Sequence, residues 1–175
     1  MTPASEVAAR WCYAELRSSR FGRSYIQQKL VSKDLWDKAN AGVAFGALDD
    51  LEVQSLRDGL SKHDDRGPAF YPMLMTFPDY VRERWSYSQL SQVIMVPYYG
   101  CLPFIDFEKS PHDTMRTALE SIPKSTFRQD EPVIVVPFQG KQMLLEGTLR
   151  SLLFARDRED SSVLEVWVPA VRPIS

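Results

Sequence analysis

The residues best placed to do chemistry sit late in the chain, in Glu146-Gly147-Thr148-Leu149-Arg150. An apolar strand (Val133 to Phe138), a Gln139-Gly140 hairpin and a second strand (Lys141 to Leu145) lead into them, and Ser151 to Arg156 continue as a helix. Glycine between strand and helix permits a tight turn, and a helix start offers bare N–H groups and partial positive charge to an anion. Arg150, in the first turn, adds a planar fork suited to phosphate oxygens. The same residues also read as a plain turn, with Thr148 as N-cap and Arg150 as a surface charge.

A second set lies upstream. Ser110 to Ile122 reads as a helix capped by Ser110, with Pro111 at its first position and Asp113 in its first turn. Met115, Ala118, Leu119 and Ile122 form its apolar face, and Thr114, Thr117 and Ser121 an adjacent hydroxyl stripe. Threonine is a poor interior helix former, so the stripe suggests a ligand. Alternatively, the hydroxyls bond back to the preceding turn or meet water. Hydrolysis of a phosphodiester or nucleotide needs charge stabilisation, an oriented water and commonly Mg²⁺ held by carboxylates. Arg150 and the amides after Gly147 suit the first task, and Glu146 and Glu120 the others. Glu146 reads equally as a strand-end surface residue, and Glu120 as solvent-facing.

Helix, Pro-led apolar strand, hairpin and Gly-x-x-Arg helix, in this order, resemble the ParB/sulfiredoxin superfamily over residues 93–169, less than half of the chain. The family's run before the strand, of the type Leu-x-x-Ser-Ile, is matched by Thr117-Ala118-Leu119-Glu120-Ser121-Ile122. Its phosphate turn, Gly-Cys-His-Arg in sulfiredoxins, is matched by Gly147-Thr148-Leu149-Arg150. The resemblance implies that Thr117 and Ser121 face nucleotide phosphates, with Gly147, Thr148 and Arg150 across from them. The departures carry equal weight. Thr148 replaces the reactive cysteine of sulfiredoxins and so excludes sulfinic acid reduction. Leu149 and Thr114 replace cations, and the Asn-Pro-x-x-Pro-Arg box of partitioning proteins has no counterpart in Pro97 to Pro103.

Within the superfamily, a helical front joined to a lone ParB-like back resembles plasmid fertility-inhibition proteins. That resemblance implies hydrolysis of ATP and DNA, with Mg²⁺ and ATP as cofactors. It also implies a block on DNA delivery through a type IV secretion system, with DNA, nucleotide and a secretion component or its nucleoprotein cargo as partners. The alternative is a non-catalytic protein that blocks the machinery or its cargo by occupancy.

At 175 residues, 44% hydrophobic, the chain can bury one sizeable core, with room for a helical subdomain. A net charge of −2 means that DNA contact requires a concentrated patch. The front is locally basic (Arg10, Arg17, Arg20, Arg23, Lys29, Lys33, Lys38), and the run from Asp49 to Asp65 is acidic. Cys12 and Cys101 supply neither a disulfide framework nor zinc spacing. The opening residues lack a basic segment followed by an apolar core, and no stretch reaches membrane-spanning length. The bacterial cytoplasm is therefore expected, with peripheral attachment to the inner membrane left open.

The expected class is α+β: a helical part over 1–67, a bridge over 68–92 and a ParB/sulfiredoxin-like mixed sheet with helices over 93–175. Predicted helices begin at Thr2-Pro3, after Phe21-Gly22, at Ser32 and at Asp49 or Asp50. Pro78 to Trp85 reads as a Pro-led helix, and Val93 to Tyr99 and Val163 to Val168 as strands. His112 suits a stabilising place at its helix start, and His63 reads as surface.

Overall fold

The computed structural model describes residues 1–18, 21–124, 129, 131–159 and 162–170; Arg20 of the basic front lies outside them. The chain is α+β, as its sequence leads one to expect, and forms two compact units that divide between Tyr80 and Val81.

In the first unit, a two-residue strand β1 (Thr2–Pro3) pairs antiparallel with the start of β2 (Asp79–Trp85), Thr2 opposite Tyr80. Helices α1 (Ala4–Leu16), α2 (Gly22–Gln27), α3 (Lys33–Asn40), α4 (Asp50–Lys62) and α5 (Tyr71–Met75) follow β1. α1 is the axis: Val7, Ala8, Ala9, Trp11, Cys12, Tyr13 and Leu16 are all buried, and α2 to α5 pack on it. Ser32 and Asp49 cap α3 and α4 as expected; the side chain of Ser32 accepts from Leu35 N–H, and Asp49 and Glu52 form a reciprocal capping box. Thr2 does not cap α1, because it is drawn into the β1–β2 pairing and Pro3 takes the N-cap position.

Pro78 does not lead a helix. Asp79–Trp85 is extended, with Tyr80 and Trp85 buried and Arg82, Glu83 and Arg84 exposed. Backbone pairing to Thr2 and Pro3 overrides the Pro-led helical pattern.

From Val81 onward, the second unit carries the sheet order β2-β6-β4-β5-β3, where β3 is Ile94–Met95, β4 Val133–Phe138, β5 Lys141–Glu146 and β6 Leu164–Pro169. β4 and β5 form the expected antiparallel hairpin, while β3 runs parallel to β5 and β6 parallel to β4. The strand expected over Val93 to Tyr99 stops at Met95, because Pro97 opens a 3₁₀ turn and has no N–H for a ladder. Its helices are α6 (Tyr87–Leu90), α7 (Phe104–Lys109), α8 (Asp113–Ser121) and α9 (Thr148–Asp157). α8 starts two residues later than its sequence suggests: His112 holds the N-cap position, and neither Ser110 nor Pro111 takes the expected place. One face of the sheet (Val133, Val135, Leu144, Leu164, Val166, Val168) shares a core with Phe104 and Phe107 of α7, Met115 of α8 and Leu152, Phe154 and Ala155 of α9.

Candidate functional site

The turn between β5 and α9 is built by the glycine. Gly147 is left-handed at φ 95°, and a Cβ there would stand 2.4 Å from Val133 Cγ1. Both conformation and space demand glycine. Just before it the β4–β5 register slips, so that Ile134 pairs with Glu146 while Val135 pairs with Leu144. A bulge of this kind re-aims the side chain that follows it. No side chain caps α9. The amides of Thr148, Leu149 and Arg150 precede the first intrahelical bond, Ser151 N–H to the Gly147 carbonyl at 2.8 Å.

Arg150 does stand beside this turn, but it is engaged. One guanidinium nitrogen donates to a Glu146 carboxylate oxygen, and the other to the Glu131 carbonyl at 2.9 Å. Both side chains of the ion pair are largely buried, at 17% and 16% exposure. The site thus contains a matched pair, not a free cation. Thr148 and Leu149 are half-buried, and Leu149 packs on the core of this unit.

α8 packs on α9, yet the hydroxyl stripe is not joined to the turn. Thr117, Glu120 and Ser121 are exposed, and Ser121 Oγ donates back to the Ala118 carbonyl at 2.8 Å, the local bond expected of a helical serine. Among the described residues, no hydrogen bond links Thr117 or Ser121 to Gly147, Thr148 or Arg150. Thr114 pairs instead with His112, whose Nδ1 lies 3.1 Å from its Oγ1.

No protein-family model, no curated protein and no solved structure matches this chain.

The side chain that ties α8 to α9 is Arg156, which sequence patterns present only as a helical residue. Its guanidinium donates to the carbonyls of Leu119 (2.7 Å), Ile122 (2.8 Å) and Pro123 (3.1 Å), the end of α8, and is braced by Asp157. Ile122 and Pro123 lie beyond the last residue of α8, where carbonyls have no intrahelical partner, and the Leu119 carbonyl also accepts from Ile122 N–H. Arg156 is eight residues beyond Thr148, about 12 Å along the axis at 1.5 Å per residue. The end of the stripe therefore lies toward the far half of α9.

Mg²⁺ takes oxygen ligands, commonly one or two carboxylates beside substrate phosphates and waters. Among the described residues no group of three or more His, Cys, Asp and Glu gathers. Glu146 is held by Arg150, and Glu120 is exposed on another helix.

A second polar cluster lies in the first unit, where sequence reasoning saw none. His63, read as surface, is fully buried. Its ring meets that of Tyr25 at 4.5 Å, and Nε2 lies 2.7 Å from Ser24 Oγ. Tyr25 donates to Glu15 at 2.6 Å, and Arg66 Nε stands 3.0 Å from the other Glu15 oxygen without an aligned hydrogen bond. Burial, then the Glu15 carboxylate, pushes the Tyr25 hydroxyl far above its ordinary range.

A serine 2.7 Å from a histidine invites comparison with an activated nucleophile. The protons argue otherwise. Asp65 N–H donates to His63 Nδ1 at 3.2 Å, so that nitrogen carries the lone pair and Nε2 carries the hydrogen. Ser24 in turn donates to the Phe21 carbonyl at 2.6 Å. His63 is the donor of this pair and cannot take the serine proton.

Proposed function

We propose that this chain is a plasmid-type fertility-inhibition protein that captures a phosphate-bearing ligand, nucleotide or DNA, at the Glu146–Arg150 turn. It would stop DNA delivery through a type IV secretion system by occupying the machinery or its nucleoprotein cargo. The resemblance of residues 93–169 to ParB/sulfiredoxin-like proteins supports this assignment. The observation that carries the phosphate reading is the start of α9: a glycine held left-handed, no capping side chain, and an arginine in the first turn. Amides with no intrahelical acceptor and a guanidinium are the donors that phosphate oxygens require.

Occupancy is favoured over turnover by the Arg150–Glu146 pair. Transition-state stabilisation relies on charge left available for the reacting phosphate, and here a carboxylate already answers it. An incoming phosphate must compete with Glu146 for the guanidinium.

The same adjacency gives the hydrolase reading its one specific support. A phosphate that takes over the guanidinium would free the Glu146 carboxylate beside it to orient a water. Arg150→Ala and Glu146→Gln decide between the two. Under occupancy, Arg150→Ala loses ligand binding and the transfer block together, Glu146→Gln keeps the block, and the wild type neither releases phosphate from ATP nor cuts DNA strands. Under hydrolysis, the wild type turns over and Glu146→Gln abolishes turnover. An Arg150→Ala protein that binds DNA and ATP normally and blocks transfer at full strength overturns both.

A further inference from the structure

We propose that His63 is an acid-sensitive lock on the first unit, holding α2 against the end of α4 only while its imidazole is neutral. The observations are geometric. The ring is fully buried and every proton around it is assigned: Asp65 N–H points at Nδ1, Nε2–H at Ser24 Oγ, and the serine hydroxyl at the Phe21 carbonyl. This chain of three donors runs one way, from the loop after α4 to the residue before α2. A proton added at Nδ1 would set N–H against N–H at 3.2 Å and replace an acceptor with a repulsive contact.

The charged surroundings give the new cation little relief. From α1, Glu15 is already shared between Tyr25 and Arg66, so its charge is in use. From α2, Tyr25 lays its ring on the imidazole, and Ser24 brings only a hydroxyl whose hydrogen points away. From the following loop come Arg66, which repels the cation, and Asp64 and Asp65, which attract it. Burial outweighs that attraction and holds the histidine below its ordinary value. An unfolded chain then binds more protons than the folded one. The stability that the neutral ring supplies is complete above the ordinary histidine pKa of about 6.5 and is lost as pH falls from there toward the lower folded value.

In the full chain labelled with ¹⁵N-histidine and followed from about pH 7.5 to about pH 5, His63 should keep a lone-pair Nδ1 and a protonated Nε2 through the ordinary histidine pKa of about 6.5 and gain its second proton only at lower pH. Beyond that point, amide exchange in Gly22–Gln27 should rise at least tenfold above its intrinsic pH dependence. His63→Gln, which keeps a donor and an acceptor but cannot ionise, should remove that rise. A His63 that titrates at or above the ordinary histidine value of about 6.5, or that carries the opposite tautomer, overturns the lock whether or not the variant folds. Parallel exchange profiles in wild type and His63→Gln overturn it as well.

Discussion

Arg150 shows how far side-chain type alone leads. Its place three residues after Gly147 was legible from spacing, and so was the adjacent Glu146. Their pairing was not, because it depends on a bulge where β4 slips against β5. The pair makes a sharp forecast at this scale. Glu146→Gln should tighten pyrophosphate binding by roughly three- to tenfold, the release of about 1 kcal/mol held by a partly buried pair. Titration calorimetry on the full chain checks it, and unchanged or weaker affinity would mean that the guanidinium does not serve phosphate. His63 was misread for a local reason. Asp64 and Asp65 beside it signal solvent, whereas it continues the Leu56–Leu60 stripe by one further turn, a spacing that places it inward.

At the scale of elements, glycine and arginine decide what the sheet and its helices can do. Gly140 and Gly147 are both left-handed, at φ 76° and 95°, but only Gly147 has a wall against it. Gly140→Ala should therefore cost about 1–2 kcal/mol, the strain of a left-handed alanine. Gly147→Ala should cost more, since Val133 must also move. Equal losses in denaturant unfolding would refute the close approach. Arg156 gathers three carbonyls at the end of α8, so Arg156→Ala should speed amide exchange across Asp113–Ser121 while leaving the β4–β5 hairpin protected. The caps of α3 and α4 and the hairpin were legible because their signals are local. The strand at Asp79–Trp85 was not, because its partner is at Thr2 and Pro3, over seventy residues away in sequence. Pairing at that distance overrides a proline-led helical pattern.

For the whole molecule, two facts frame any ligand: the net charge is −2, and the chain folds as two units. Among the described residues, no helix is long and apolar enough to cross a membrane. A DNA contact made by one arginine and a helix start should be only weakly salt-dependent. The slope of log K against log salt should lie near −1, because a single cation releases about one counterion. A slope of about −5 or steeper would place DNA on a basic surface elsewhere, and would move the binding reading away from α9.

Entry of phosphate at the Gly147 turn can be followed by chemical-shift mapping of the ¹⁵N-labelled full chain with inorganic pyrophosphate. The predicted result is saturable movement of the Thr148, Leu149 and Arg150 amides, with the Arg150 side-chain Nε–H shifting as Glu146 is displaced, and loss of all of these in Arg150→Ala. Movement confined to other residues, or none at concentrations where ATP or DNA binds, would contradict it.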